Sequence, residues 1–172
     1  MTQKLLATAG VLLLIIMVTY PFQASPPPDG EDMLAAMQQL GYTAVELRKN
    51  VQHEFEVEAK LNGDKKITMI LSFQATNTIF NTERLDEMGV KYQKTGQKFE
   101  VNGDKDDLYA VRTDSINIGN GKIGPEELHC LEFDEFDVFE DYRVTGILGR
   151  DFLLKHHAVI DFADQMLYIK PD

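Results

Sequence analysis

The segment GILGRDFLLKHHAVIDFADQMLYIK, residues 146–170, has the clearest pattern of predicted secondary structure in the chain. Its first four residues place two apolar side chains between two glycines, and glycine lets a second backbone come close. A short helix is predicted over residues 151–156, and apolar strands are predicted over residues 158–162 and 166–169. The segment therefore predicts a glycine-flanked strand, a small helix and a closing pair of strands.

Upstream of this segment the apolar residues recur with a period of two, which is typical of half-buried strands. Residues 53–61 alternate cleanly, and Asn62-Gly63 then favours a tight turn into a return strand over residues 66–71. A second pair, Asn102-Gly103, predicts another hairpin. The other predicted segments are helices over residues 32–40 and 81–89 and strands over residues 98–101, 108–112, 115–118 and 144–149. Many short strands and few small helices predict a mainly-β domain of the closed-barrel kind.

The composition is that of one globular domain with an appendage, at 172 residues with 44% hydrophobic and 26% charged side chains. Twenty-eight acids against 17 bases give a net charge of −11, so the basic footprint of a nucleic-acid-binding protein is missing. Cys130 is the single cysteine, which excludes an intrachain disulfide. The four histidines show no metal spacing, and we predict neither a metal nor a cofactor.

The N-terminus predicts export from the cytoplasm. Lys4 precedes an uncharged apolar run over residues 5–20, whose length lies between a signal-peptide core and a membrane span. Ala24 suits the last residue before a cut, whereas Phe22 stands where a small side chain is preferred, so a removed signal and an uncleaved anchor both stay open. The protein is then periplasmic, or anchored in the cytoplasmic membrane and facing outward. The predicted domains are residues 1–24 as signal or anchor, residues 25–41 as proline-rich linker and short helix, and residues 42–172 as the folded domain.

The closing segment resembles the corresponding block of retropepsin-like aspartic peptidases, and the similarity extends over roughly residues 42–170. VEAKLNGDKKITMIL resembles the first hairpin of bacterial members, and FEVNGDKDDLYAVRTDSINIG resembles their flap hairpin and the strand after it. The resemblance implies the closed β-barrel of the acid protease fold. It also implies that the strand of Gly146, Ile147, Leu148 and Gly149 passes beside the catalytic loop, with the flap tip Asn102-Gly103 over the cleft.

The centre of the family's motif is altered in this chain. SFQATNTIF, residues 72–80, stands where those members carry Asp-Thr-Gly-Ala-Ser, so Ser72 replaces the aspartate, Phe73 the threonine and Gln74 the glycine, while Ala75 is kept. The family's mechanism needs two carboxylates that share one proton, and a serine hydroxyl does not ionise at accessible pH. Phe73 removes a hydroxyl that braces two loops across a homodimer, and Gln74 adds a side chain where bare backbone meets the substrate. We therefore predict no catalytic residue.

Other chemistry-bearing residues are given structural interpretations. Asp114, Asp151 and Asp161 match positions that are acidic in many family members outside the catalytic loop, and we expect them in turns, caps and hydrogen bonds. Serine catalysis at Ser72 would need a general base, and we expect His156 and His157 on the surface instead.

Three further motifs suggest alternatives. GNGKIG, residues 119–124, matches the dinucleotide fingerprint, but Pro125 and no amphipathic helix follow, so a glycine-rich turn is predicted. The acidic stretch over residues 131–142 predicts a solvated strand or loop face, with weak cation binding as the alternative. Cys130 is predicted to be a small packed residue and not a reactive thiol.

Three functions follow from these observations. The first is an exported, non-catalytic peptidase-like module that binds an extended peptide or a protein partner by strand-like hydrogen bonds. The second is an active aspartic endopeptidase that uses an unrecognised acid. The third is a subunit that forms a homodimer, or that pairs with an active homologue and suppresses it.

Overall fold

The computed structural model describes residues 30–101, 104–133 and 144–171. The predictions for the N-terminal signal or anchor, for the flap tip Asn102-Gly103 and for most of the acidic stretch lie outside the described residues. Within the described ranges, no helix is both long enough and apolar enough to cross a membrane.

Three helices and twelve strands make up the described chain. The helices are α1 (Gly30–Gln39), α2 (Thr82–Glu87) and α3 (Arg150–Lys155). The strands are β1 (Thr43–Lys49), β2 (Phe55–Leu61), β3 (Lys65–Leu71), β4 (Ile79–Asn81), β5 (Tyr92–Val101), β6 (Asp104–Thr113), β7 (Ile116–Ile118), β8 (Gly121–Ile123), β9 (Glu126–Leu131), β10 (Gly146–Leu148), β11 (Val159–Asp161) and β12 (Met166–Ile169). The predicted mainly-β class with short helices is confirmed.

All twelve strands belong to one hydrogen-bonded sheet in the order β11-β12-β1-β2-β3-β10-β4-β9-β6-β5, with β7 bonded to β2 and β8. The two end strands, β11 and β5, do not pair with each other, so the sheet is not closed by hydrogen bonds within the described chain. The sheet is held in its curved form by packing, because a single core contains Leu47 and Leu167 from one end of the sheet and Val111 and Cys130 from the other.

The first predicted hairpin is present and its sequence explains it. Val57, Ala59 and Leu61 are buried on one face of β2 while Glu58 and Lys60 are exposed on the other. The turn needs two residues with positive φ, and Asn62 (49°) and Gly63 (94°) supply them. The Asn62 side chain also accepts a hydrogen bond from the Asp114 backbone N–H at 2.8 Å, which ties this turn to the end of β6.

Two helix ends are capped, the start of α2 and the end of α1. The Asn81 side chain accepts the Glu83 N–H at 3.0 Å and begins α2. Gly41 follows α1 with a φ of 84°, and the next N–H, that of Tyr42, donates to Met37 O at 3.0 Å.

The glycine-rich segment of residues 119–124 forms the turn between β7 and β8 and continues as β8, so the predicted turn is confirmed. Gly119 has a φ of 57° there, and a Cβ on it would lie 2.5 Å from the Ala44 carbonyl oxygen. Glycine serves the close packing of this hairpin against β1, and the strand β9 follows where a dinucleotide fold has a helix.

Candidate functional site

The loop of residues 72–78 leaves β3 and returns to the sheet as β4, with β10 between these two strands. β10 runs parallel to β3, opposing Gly146 to Met69, and antiparallel to β4, opposing Ile147 to Ile79. The Ser72 N–H donates to Leu148 O at 3.1 Å, which continues the β3–β10 pairing into the loop. The sheet therefore fixes the position of Ser72 through its backbone.

The two glycines that flank β10 are required by close backbone contacts. A Cβ on Gly146 would lie 2.3 Å from Ile79 O, and a Cβ on Gly149 would lie 2.4 Å from Asn77 O. The predicted passage of this glycine strand beside the loop is therefore present in the structure. That these residues bind a peptide stays a prediction.

Ser72 serves the loop as a hydrogen-bond acceptor. Its Oγ accepts the Ala75 N–H at 3.1 Å and closes a turn over Phe73 and Gln74. The residue is only partly buried. A serine hydroxyl in this place can position a backbone by a hydrogen bond, but it does not ionise near neutral pH. The geometry of Ser72 is consistent with a structural role within the loop.

Thr78 and the start of α3 support the loop from behind. The buried Thr78 hydroxyl donates to Asp151 Oδ1 at 2.7 Å and accepts the Gly149 N–H at 2.9 Å. The Arg150 and Asp151 N–H groups donate to the carbonyls of Ala75 and Thr76 at 3.0 and 3.1 Å. The second half of the loop is therefore held by α3, and Asp151 is engaged in that support.

An aromatic patch of Phe55, Phe73 and Phe162 lies beside the loop. Phe73 is 49% exposed and Phe162 is 57% exposed, and their ring centroids are 6.3 Å apart. Phe55 extends the patch, with its centroid 5.7 Å from that of Phe162. Sequence reasoning did not find this patch, since its members come from β2, the loop and the β11–β12 turn, and no local pattern links them.

Of the acids expected in turns, caps and hydrogen bonds, Asp161 and Asp151 use their carboxylates in this way, and Asp114 takes part through its backbone N–H. Asp161 Oδ1 accepts the Ala163 and Asp164 N–H groups at 2.9 and 3.1 Å within the β11–β12 turn. Asp151 accepts the N–H of Phe152 at 2.7 Å in addition to the Thr78 hydroxyl. The Asp114 N–H is the group that Asn62 fixes at the hairpin turn.

The surface position predicted for His156 is wrong, whereas His157 is exposed as expected. His156 is only 1% exposed, and its ring centroid lies 4.5 Å from that of Phe152. Its Nε2 lies 3.5 Å from Oε1 of the buried Glu126. His156 directly follows α3, and its ring is buried beside the Glu126 carboxylate of β9.

The structure also locates the single cysteine and the residue types that could ligate a metal in the described chain. Cys130 is fully buried in the core, and burial raises the pKa of its thiol to about 12, so the thiolate is not formed near neutral pH. The described residues contain no group of three or more histidine, cysteine, aspartate or glutamate side chains that could hold a metal ion.

Comparison with known proteins defines the class. A family model described as aspartyl protease matches residues 57–152, which is more than half of the chain. The chain therefore belongs to the retropepsin-like aspartic peptidase family. No curated protein matches it significantly.

Several solved structures are similar to the chain at low sequence identity. A retropepsin-like aspartic protease from Rickettsia conorii is 19% identical, with a TM-score of 0.48 over 75% of this chain and 89% of that one. The retroviral protease-like domain of Ddi1 from Leishmania major is 19% identical, with a TM-score of 0.49 over 67% and 87%. The EIAV protease in complex with the inhibitor HBY-793 is 14% identical, with a TM-score of 0.49 over 67% and 99%.

Proposed function

We propose that the chain is a non-catalytic member of its family that binds an extended peptide or protein segment beside the Ser72 loop. The observation that carries this proposal is that the loop is hydrogen-bonded along its backbone, while its first residue, Ser72, has a hydroxyl and no carboxylate. Ser72, Ala75 and Thr76 are all hydrogen-bonded to the segment that runs from β10 into α3. A rigid loop without an ionisable group can bind a chain but lacks the acid–base pair that cleaves one.

The binding mode follows from the fold. An extended chain adds main-chain hydrogen bonds to exposed backbone, and apolar side chains then find pockets or patches. The aromatic patch of Phe55, Phe73 and Phe162 offers such a contact next to the loop. The resemblance assigns the position of Phe73 to a residue that braces the loop. Phe73 lacks that bracing hydroxyl, and its exposed ring can contact the ligand instead.

The test uses the full chain in a non-ionic detergent with a library of unlabelled peptides. We expect peptides to be retained and recovered uncut between pH 4 and pH 7. The Phe73→Ala variant should weaken retention five- to tenfold, whereas Leu154→Ala, at a residue 76% exposed on α3, should leave it unchanged. No retained peptide in a broad library would contradict the proposal.

Catalysis is tested with the same material. Wild type should cleave nothing, and Ser72→Asp should stay inactive because Phe73 and Gln74 still stand where the resemblance implies a bracing threonine and a glycine. Pepstatin-sensitive cleavage at acid pH by the wild type, at a rate equal to that of Ser72→Asp, would establish the alternative of an active endopeptidase with an unrecognised acid.

Self-association is a second candidate, favoured by the exposure of Phe73 and Phe162 on one surface. A homodimer joined there would bury both rings, and a heterodimer with an active homologue would supply only one aspartate to a shared site. Light scattering of wild type and Phe162→Ala tests the homodimer, since the substitution should shift the mass towards the monomer. Co-purification with an aspartate-bearing homologue tests the heterodimer.

The proposed location is outside the cytoplasm, periplasmic or membrane-anchored, on the pattern of residues 1–24. The intact mass of the protein from the membrane and soluble fractions tests it. A mature chain that begins at Ser25 indicates a removed signal, and a full-length chain in the membrane fraction indicates an anchor. A full-length chain in the cytoplasmic fraction would contradict export.

A further inference from the structure

Four adjacent strands bring three lysines into one row on an outer face of the sheet. Lys66 of β3 opposes Lys60 of β2, Lys60 opposes Asn117 of β7, and Asn117 opposes Lys122 of β8. Directly opposed residues point to the same face, and neighbouring strands are about 4.8 Å apart. Lys60, Lys66 and Lys122, here called the lysine row, therefore fall within about 15 Å of one another.

The lysine row is not neutralised by the described part of the chain. All three side chains are exposed, and none of them forms an ion pair there. Glu58, the next outward residue on β2, is paired with Arg48. Like charges that oppose each other across two strands are destabilising. Lys66 nevertheless opposes Lys60, although acids outnumber bases in this chain and its net charge is −11.

A cleft lies along this row. Its volume is about 440 Å³, and its polar lining consists of Lys60, Lys66, Thr68, Asn117, Thr145 and Glu58, the carboxylate that is paired with Arg48, while Lys122 lies beyond it. A second cleft of about 350 Å³ shares Lys66 and Thr145 with the first and extends the groove to Arg84. The two clefts meet at Lys66 and Thr145. Their lysines form no ion pair in the described chain, whereas the lining acids Glu58 and Glu87 are paired with Arg48 and Arg84.

Two polar atoms at the groove are buried without a hydrogen-bond partner in the described chain. They are Asn117 Oδ1, in the middle of the lysine row, and Arg84 Nε, at the far end. The acceptor calls for an N–H donor. Arg84 Nη1 already donates to both carboxylate oxygens of Glu87, at 2.9 and 2.8 Å, so only its Nε–H calls for a further acceptor. A ligand that satisfies both carries amide N–H groups and acids together.

We propose that this groove is a docking site for an acidic peptide segment. Carboxylates of the segment pair with the lysine row, and a backbone N–H donates to Asn117 Oδ1. The site is separate from the Ser72 loop, because Lys66 and Ser72 lie six residues apart on one strand, about 20 Å in extended chain. The inference therefore stands independently of the function proposed for that loop.

The experiment measures fluorescence polarisation of a labelled hexaglutamate peptide with the full chain in non-ionic detergent at low salt. We expect saturable binding that weakens as NaCl is raised, because salt screens the contacts. Lys60→Gln with Lys66→Gln should weaken binding at least tenfold. The matched control, Lys91→Gln with Lys170→Gln, changes the net charge equally and should stay within twofold of wild type.

Asn117→Leu tests the peptide part of the inference. It should weaken hexaglutamate binding three- to fivefold while the slope of affinity against salt stays that of wild type, because no charge is lost. Thermal melting of each variant shows that the fold is kept.

Three results would overturn the inference. Equal losses in the control pair and the row pair would indicate a general charge effect. Unchanged binding by the row pair would place the peptide elsewhere. Binding of tripolyphosphate or an oligothymidylate as tight as that of hexaglutamate would indicate a general anion site.

Discussion

Thr78 shows how one buried side chain holds the candidate site together. Its hydroxyl uses both of its hydrogen-bonding capacities, donating to Asp151 and accepting from the Gly149 N–H. The residue is 1% exposed and Gly149 is buried, so the Gly149 N–H gains no water in compensation if the hydroxyl is removed. The shape of the loop therefore depends on an oxygen atom that takes no part in binding a ligand.

Replacing Thr78 by valine should lower the free energy of unfolding by about 1–3 kcal/mol, because a buried N–H and a carboxylate oxygen lose their partner. Thr76→Val is the matched control, since that hydroxyl is exposed and accepts only from Arg150 Nη2, at 3.1 Å. It should change stability by less than about 0.5 kcal/mol. Urea denaturation measures both, and Thr78→Ser should recover most of the loss.

Single residues differ in how much the sequence says about them. The glycines at 146 and 149 were placed correctly because the resemblance implies that their strand passes beside the loop, where glycine permits a close backbone contact. The depth of His156 was missed because it depends on Glu126, some 30 residues earlier in the chain, which packs beneath the helix. The exposure of a side chain depends on the residues that pack around it, and the sequence near His156 does not reveal them.

The β5–β6 hairpin is held across an irregular register by charge. Pairing shifts between Lys94 and Lys98, and both ammonium groups converge on Asp107 of the opposite strand. Hydrogen bonds from Lys94 and then from Lys98 hold the pKa of the Asp107 carboxyl below its usual range. The hydrogen bond to Asp107 in turn raises the pKa of Lys94.

The sign of the resulting pH dependence is fixed by the lowered pKa. The folded-state pKa of Asp107 lies below the unfolded one, so this contribution is present above the unfolded pKa, near 4, and is lost as pH falls through the folded value. Asp107→Asn should therefore lower the urea midpoint at pH 7 and have progressively less effect below pH 4. Asp106→Asn is the control, and a gap between wild type and Asp107→Asn that persists at pH 2 would contradict the assignment.

The hairpins and short helices were predicted because their signals are local. Alternation over residues 53–61 and the turn at Asn62-Gly63 lie within a dozen residues of each other. β1, β8 and β9 were not predicted, since β1 pairs with β12 from the other end of the chain and β8 is three residues long. Whether the end strands pair is not a local property either, and in the described chain β11 and β5 do not pair.

For the whole molecule, Glu126 joins two regions that are distant in sequence. Its carboxylate lies 2.5 Å from Lys155 Nζ and 3.5 Å from His156 Nε2, so β9 is bonded to the end of α3. Its backbone N–H donates to Thr113 Oγ1 of β6 at 3.2 Å. Strands from one end of the sheet and the C-terminal helix should therefore unfold together.

Glu126→Gln should lower the free energy of unfolding by about 1–3 kcal/mol, because a buried charged hydrogen bond is weakened. The neighbouring Glu127 is exposed, and Glu127→Gln should have little effect. Urea unfolding followed by tyrosine fluorescence and by circular dichroism should shift to a lower midpoint with one shared transition and an unchanged slope. Separate transitions for the two probes would show that the halves are not coupled.

The position of β10 between β3 and β4 has a consequence for how the protein is made. Residues 65–71 and 79–81 leave the ribosome some seventy residues before residues 146–148, yet they do not pair with each other directly. The strand β4 cannot join β3 in the sheet until residues 146–148 have been synthesised, and such non-local pairing is slow. A chain that stops before residue 146 lacks the strand between β3 and β4, so it should not form the native sheet.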